Sequence, residues 1–157
     1  MVPAFDEVVS DLCCHLEIEL PALAAGEFLA LAAGSEQVLL KDGPWGRVIE
    51  LEAEVGFLTR SEALEVAELE GLLKANLAQS LQRDVLVCLG VAEGMGPQRV
   101  LVKGFYRYDE TDISRLVHLV SEVASSAEVL KGLLYGAVRV GENKTTQENQ
   151  GALIFQP

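Results

Sequence analysis

The amino-acid sequence predicts an α+β protein in which helices pack on a twisted antiparallel sheet. Three observations lead to this fold class. Apolar residues recur every three or four positions in the first and last long segments, as they do in amphipathic helices. Apolar and charged residues alternate strictly at 47–55, as they do in a half-buried strand. Turns rich in glycine or proline separate the shorter runs.

The predicted element order is helix, three strands, helix, two strands, helix. The bounds are a helix at 4–15, strands at 27–32, 36–41 and 47–55, a helix at 62–79, strands at 85–91 and 99–108, and a helix at 110–134. Thr59 and Glu62 form a capping-box pattern before the second helix. In the third strand Ile49 and Leu51 point one way and Glu50 and Glu52 the other, so we expect one buried and one mostly wet face. After Gly136 the sequence turns polar, and the chain is predicted to divide into a domain at 1–136 and a flexible tail at 137–157.

Two elements are more apolar than one small domain requires. The helix at 62–79 carries leucine and alanine on more than one face, and the strand at 85–91 does not alternate, which predicts burial on both faces. Other helices of the same chain would be one cover for this surface. A second copy is the cover we favour, because 157 residues provide few layers and twofold dimers are the commonest oligomers.

Charge and composition exclude several classes of function. The formal net charge is −12, which repels nucleic acid and anionic lipid. The first ten residues have no signal-peptide pattern, and no apolar run approaches the roughly 20 residues that span a bilayer. The three cysteines do not suggest a disulfide framework. We therefore expect a cytoplasmic protein without nucleic-acid partners or membrane insertion.

No group of residues predicts catalysis or a cofactor. Cys13, Cys14 and His15 are consecutive, and consecutive helical side chains fan out by about 100° instead of converging on a metal. Cys88 lies in an all-apolar strand, where burial suppresses thiolate formation, and His118 is expected on a helix surface. We expect a protein that is not an enzyme and binds no metal or cofactor, although the cysteines leave a small enzyme or ligand binder as an alternative.

Three stretches resemble a known family. They are ELEAEVGFL at 50–58, LLKANL at 72–77, and the strand, acidic turn and helix at 100–134. Together with the element order, size and acidity, they resemble the class I type III secretion chaperones, the Tir-chaperone-like family, over about residues 4–134. Two departures are Val129, near the position where many members carry an aromatic residue, and the segment beyond Gly136.

The resemblance implies a bacterial cytoplasmic homodimer without enzymatic activity. Such a protein would bind the N-terminal segment of a secreted effector in extended form, keep it soluble and export-competent, and deliver it to the secretion apparatus, with the apparatus ATPase as a further partner. The implied dimer interface comprises Leu69, Leu72, Leu73, Asn76, Leu77, Val85, Val87 and Leu89. The implied effector-binding residues are Phe5, Val8, Leu20, Phe28, Leu31, Val38, Leu40, Ile49 and Leu51. A dimeric, non-catalytic adaptor or regulator of the secretion machinery with the same fold is the alternative.

Overall fold

The described residues form three helices and five strands, which follow one another in the predicted order. The computed structural model describes residues 4–21, 28–43, 47–58, 62–80, 84–90, 97–110 and 112–151, with side chains described except at 62–64, 80 and 135–151. The elements are α1 (Phe5–His15), β1 (Leu29–Ala33), β2 (Glu36–Asp42), β3 (Val48–Phe57), α2 (Glu62–Ser80), β4 (Val85–Leu89), β5 (Arg99–Arg107) and α3 (Ile113–Gly151). The α+β prediction is confirmed, while the homodimer stays a prediction. The cap at Thr59 and the last residues, 152–157, lie outside the described part.

The five strands form one antiparallel sheet in the order β1-β2-β3-β5-β4. A two-residue turn joins β1 to β2, and Gly34 adopts the left-handed φ of 64° that tight hairpin turns require. In β3, Gly56 has a φ of 150° beside a register shift against β5, so glycine makes a bulge possible there. Within the described residues, β1 and β4 are the two edge strands of the sheet.

Helix α3 packs on one face of the sheet and α1 packs against α3, and buried side chains of both helices join those of the sheet in one core. The apolar side of β3 is buried as predicted, with Ile49 and Leu51 fully enclosed. Helix α3 lies close to β5 at Gly104, where an added Cβ would come within 3.0 Å of Leu119 and 3.1 Å of Val123. Only glycine allows this close packing of helix on strand.

One prediction about the elements requires correction, and another stays open. In the single chain β4 lies at the sheet edge and exposes Leu86 and Leu89, so the described helices do not cover it on both faces, and its burial by a second copy stays a prediction. Helix α3 does not end at Leu134 but continues to Gly151. The continuation contains no proline, and an interior glycine such as Gly136 costs a helix only about 1 kcal/mol. Neither residue type therefore ends the helix, and the end of the apolar stripe marks only the end of its buried face. The division into a domain and a flexible tail stays a prediction.

Candidate functional site

Strand β1 presents one free edge of the sheet. Its hairpin with β2 closes on Ala33 opposite Glu36, which is the hydrogen-bonded pair that flanks a two-residue turn. Because hydrogen-bonded and non-bonded pairs alternate in antiparallel strands, the main-chain groups of Ala30 and Ala32 point away from β2, toward the free edge. These groups can pair with an additional strand.

An apolar groove runs beside this edge. It has a volume of about 530 Å³, and we call it the β1 groove. Its lining residues are Leu16, Ile18, Ala30, Leu31, Ala32, Ala33, Val117, Val120 and Ser121. The groove therefore lies between the end of α1, the main chain of β1 and the first turns of α3. A strand added to β1 would place alternate side chains against this groove.

The end of α1 determines where Ile18 lies in the groove. The N–H of Ile18 donates to the carbonyl of Cys13 (3.0 Å), and the N–H of Glu17 donates to that of Cys14 (3.2 Å). These two hydrogen bonds, with Glu17 at a left-handed φ of 55°, form a Schellman motif. The sequence did not identify the groove, because its walls come from the end of α1, from β1 and from α3, which are distant from one another in sequence.

The structure divides the predicted effector-binding residues into two groups. Phe5 is half-buried, while Leu20 and Phe28 are about half exposed, at 49% and 50%. The other six form part of the core and are not exposed to a client: Val8, Leu31, Val38, Leu40, Ile49 and Leu51. Their periodicity reflects the side of α1 and of the sheet that faces α3. The groove residues that were not predicted, such as Ile18 and Val117, lie next to this core.

At the opposite edge of the sheet, α2 lies along β4. The side-chain oxygen of Asn76 accepts the N–H of Val87 at 2.8 Å. A cavity of about 180 Å³ between the two elements is lined by Leu69, Leu72, Leu73, Asn76, Val87, Cys88 and Leu89. The helix thus binds one outward main-chain group of the edge strand, and leaves a shallow apolar surface beside it.

The predicted dimer residues all lie on or beneath this α2–β4 surface. Leu72 and Val85 are buried in the core, and Leu69, Asn76 and Val87 are half-buried. Three leucines are exposed: Leu73 at 68%, Leu77 at 66% and Leu89 at 47%. Large exposed apolar side chains from a helix and its neighbouring strand are typical of an interaction surface. The geometry thus brings together residues that the sequence placed in separate elements.

The sheet face opposite the helices carries charged pairs instead of a metal site. Lys103 of β5 bonds Glu50 and lies 3.5 Å from Glu52, which also pairs with Lys41 at 3.1 Å. Burial lowers the pKa of Lys103, but the hydrogen bond and charge of Glu50, aided by Glu52, outweigh burial and raise that pKa overall. The expectation of a mostly wet face needs correction here, since the Glu50 and Glu52 side chains are only 16% and 10% exposed.

Two of the three cysteines lie in surroundings that suppress thiolate formation. Cys13 is buried, Cys14 exposed and Cys88 half-buried. Burial raises the pKa of both the Cys13 and Cys88 thiols, which reduces the thiolate fraction. Across the described ranges, no cluster of histidine, cysteine, aspartate or glutamate is arranged to hold a metal ion. Among the described helices none combines the length and the apolar character that crossing a membrane requires.

Comparison with solved structures identifies the fold. The type III secretion chaperone SycH of Yersinia pestis, in complex with a stable fragment of YscM2, matches with a TM-score of 0.58 at 15% identity over 80% of this chain and 98% of that one. The heterodimeric ExoU–SpcU complex from the type III secretion system of Pseudomonas aeruginosa matches with a TM-score of 0.58 at 18% identity, over 80% and 96%. The chain has the type III secretion chaperone fold.

The fold also matches a protein whose description names another role. YbjN of E. coli, described as a suspected transcription regulator, matches with a TM-score of 0.53 at 11% identity over 92% of this chain and 96% of that one. No protein-family model and no curated protein matches the sequence. The predicted likeness to class I chaperones is therefore confirmed at the level of the fold, by way of structure instead of sequence.

Proposed function

We propose that this protein is a secretion chaperone that binds an extended N-terminal segment of a secreted effector, keeps it soluble and export-competent, and presents it to a type III secretion apparatus. The free β1 edge beside the β1 groove is the observation that carries this proposal. The chaperone fold supports it. In this function the protein acts by binding and needs no catalytic group or cofactor.

The physical chemistry of the β1 edge suits an unfolded client. Ala30 and Ala32 offer main-chain hydrogen bonds that are independent of the client's sequence, and the groove accepts apolar anchors. Ordering a disordered segment costs roughly 2–5 kcal/mol, so contacts beyond a single strand are needed. The exposed Leu20 and Phe28 flank α1 and β1 and extend the apolar surface. Phe5, half-buried on α1, is a further proposed client contact.

We also propose that the α2–β4 surface binds a second copy of the chain. Leu73, Leu77 and Leu89 supply the exposed apolar side chains, and the net charge of −12 keeps such a protein soluble before it assembles. Two copies would provide two β1 edges, so a long client segment could contact both. Delivery to the apparatus, with its ATPase as a candidate receptor in the bacterial cytoplasm, belongs to the same proposal.

Co-expression with a secreted protein encoded next to this one tests the proposal. The wild-type chain should co-purify with it, with two chaperone copies for each client. Ala32→Pro removes an N–H that points outward from the edge strand, a position at which a strand tolerates proline. The substitution should weaken client binding about tenfold or more. Ala32→Val keeps that N–H and should bind the client within about twofold of the wild type. If the chain stays monomeric and never co-purifies with such a secreted protein, the proposed chaperone function is ruled out.

A dimeric, non-catalytic adaptor or regulator is the second candidate. The likeness to YbjN favours it, because that protein is described as a suspected transcription regulator and the match spans 92% of this chain. Affinity purification from cells that make a secretion apparatus discriminates between the two. Recovery of apparatus components alone supports the adaptor, whereas recovery of an exported protein supports the chaperone.

A further inference from the structure

The part of the chain that forms two of the three walls of the β1 groove carries charges of one sign. Residues 1–40 contain seven aspartates and glutamates and no lysine or arginine, although the whole chain has 12 basic residues. This segment includes α1, β1 and most of β2. The end of α1 and the main chain of β1 therefore lie in a region of carboxylates that has no cation of its own.

The third wall of the groove, α3, does not supply a free cation. The described side chains of α3 include two basic ones, Arg115 and Lys131. Arg115 pairs with Glu110 at 2.8 Å and with Asp84 at 3.0 Å, and Lys131 pairs with Glu36 at 2.5 Å. Both cations are thus held by carboxylates that do not line the groove, and neither offsets the negative charge at the end of α1.

Two exposed carboxylates flank the groove residue Ile18. They belong to Glu17 and Glu19, its neighbours in sequence. None of the ion pairs between described side chains involves either of them. Adjacent Cα atoms are about 3.8 Å apart and the Debye length at physiological ionic strength is about 8 Å, so salt screens these charges at the groove only in part. They can therefore attract the charges of an occupant.

The lining of the groove itself carries no charge. Its nine residues are apolar except for Ser121. A cationic head group would lose its hydration inside such a groove, which is unfavourable. The aliphatic stem of a lysine or arginine can instead lie along the apolar wall while its head group stays in water at the rim, beside Glu17 or Glu19. The lining thus selects apolar side chains, and the rim selects cations next to them.

The same charges disfavour a second copy of the chain at the β1 edge. Two β1 edges that pair about a twofold axis would bring identical surfaces together. Their apolar grooves would match, but two rims that carry only carboxylates would enter one interface, and like charges across an interface are unfavourable. Charged side chains near an edge strand are a common protection against self-pairing. The β1 edge therefore favours a partner of opposite charge.

We propose that the β1 groove selects an extended segment in which alternating apolar residues are flanked by lysine or arginine. The apolar residues fill the groove, the main chain pairs with Ala30 and Ala32, and the flanking cations lie at the rim formed by Glu17 and Glu19. This inference rests on the proposed function, because it specifies the kind of client segment that the β1 edge takes.

Three synthetic peptides test this selection. Each contains the same central run of valines alternating with serines, and the two residues on either side of that run are lysine, serine or glutamate. At about 50 mM salt the lysine peptide should bind at least about tenfold more tightly than the glutamate peptide, with the serine peptide between them. The preference should shrink at about 300 mM salt, because ions screen exposed charges.

Hydrogen exchange locates the bound peptide. The lysine peptide should protect the amides of Ala30 and Ala32, whose main-chain groups point toward the free edge. Equal affinity of the three peptides would show that apolar contact alone selects the occupant and would overturn the inference. Protection that is absent from β1 with every peptide would overturn it as well.

Glu19→Lys and Asp84→Lys distinguish local charge from overall charge. Each substitution changes the net charge by the same amount, and both side chains are exposed. Asp84 precedes β4, four strands from β1 and thus roughly 19 Å away, well beyond the Debye length. Glu19→Lys should weaken binding of the lysine peptide about fivefold or more, whereas Asp84→Lys should change it less than about twofold. Equal losses would mean general charge attraction and would contradict selection at the rim.

The inference and the proposed function can fail separately. A chain that co-purifies an exported protein but binds the three peptides alike loses only the inference. A chain that prefers the lysine peptide at β1 but never retains an exported protein keeps the inference about the groove and loses the chaperone function. Circular dichroism spectra of both variants that match the wild type establish that binding is compared between folded proteins.

Discussion

The side-chain amide oxygen of Asn76 lies 2.8 Å from the main-chain nitrogen of Val87 and accepts its hydrogen bond. This contact joins the middle of α2 to the outer edge of β4. Edge strands with outward N–H groups tend to pair with other chains, and proteins block them with helices or polar groups. Asn76 therefore orients α2 and occupies an edge position that would otherwise be open to another strand.

Replacing Asn76 should show the value of this bond. Asn76→Ala leaves the half-buried N–H of Val87 without its acceptor, which should reduce the free energy of unfolding by about 1–2 kcal/mol. Asn76→Asp keeps an acceptor oxygen in the same place and should lose less. Urea denaturation of the two variants and the wild type measures the difference. Equal losses in Asn76→Ala and Asn76→Asp would show that the hydrogen bond is not the stabilising feature.

Glu17 is the only non-glycine residue in the described part of the chain with a positive φ, at 55°. A side chain in this left-handed region costs roughly 1–2 kcal/mol, and glycine is the usual residue at this position of a Schellman motif. Glu17→Gly should therefore raise the melting temperature, corresponding to a gain of about 0.5–1 kcal/mol, after allowing for the greater freedom of glycine in the unfolded chain.

Glu19→Gly is the matched control for this substitution. Glu19 is also exposed and lies two residues further along, without the positive φ. The same loss of a carboxylate there should leave the melting temperature unchanged or lower it. If both variants shift the melting temperature alike, the effect comes from charge and not from the left-handed backbone.

Tyr108 makes the free energy of unfolding depend on pH in the alkaline range. Its hydroxyl donates to Asp42 Oδ1 at 2.6 Å, and burial together with this bond raises the pKa of the phenol well above its usual range. The stabilisation is complete below the unfolded-state pKa of about 10 and is lost as the pH rises toward the folded-state pKa, because only the unfolded chain releases the proton. Wild-type stability should therefore fall above about pH 10.

Tyr108→Phe separates the contribution of the hydrogen bond to Asp42 from that of phenol ionisation. At neutral pH the variant should be about 1 kcal/mol less stable, because it lacks the hydrogen bond to Asp42. Above about pH 10 it should lose stability less steeply than the wild type, with a difference in slope of at most about 1.4 kcal/mol per pH unit. Burial also raises the pKa of Tyr106, so some alkaline slope should remain. Parallel pH profiles from denaturant unfolding would contradict the assignment to Tyr108.

The sequence predicted the elements well but not their surroundings. Periodicity identified β3 and its apolar side, because alternation is a local property. It did not say which side faces solvent, so Val38 and Leu40 were assigned to a client although α3 helps to bury them in the core. Glu52 was expected to be wet, and its burial depends on the register that brings Lys41 and Lys103 beside it. Each miss follows from pairing between segments distant in sequence.

The surplus of apolar residues was the most useful long-range signal. This surplus could be read from the sequence, since the segments of α2 and β4 carry more leucine and valine than one buried face needs. The sequence did not reveal that Leu72 would point into the core and Leu73 outward, because α2 is apolar on several sides. The bulge in β3 gave no signal beyond Gly56, and an isolated glycine in a strand pattern is only a hint of a bulge.

The exposed leucines of α2 make the proposed self-association directly testable. Leu73 and Leu77 are one helical turn apart and are both about two-thirds exposed. Leu73→Glu places a charge in a surface that would be buried between two copies, and burying an unpaired charge is strongly unfavourable. The dissociation constant of the dimer should therefore rise at least about 100-fold, measured by analytical ultracentrifugation across a concentration series.

Leu133→Glu provides the comparison for Leu73→Glu. Leu133 is an exposed leucine of α3, 51% accessible, and it lies outside the α2–β4 surface. The same substitution there should leave the dimer constant within about twofold of the wild type. Both variants should keep the circular dichroism spectrum of the wild type, because neither leucine is part of the core. Dimers that persist in Leu73→Glu but dissociate in Leu133→Glu would place the interface on α3, and a wild-type chain that stays monomeric would remove the proposed dimer altogether.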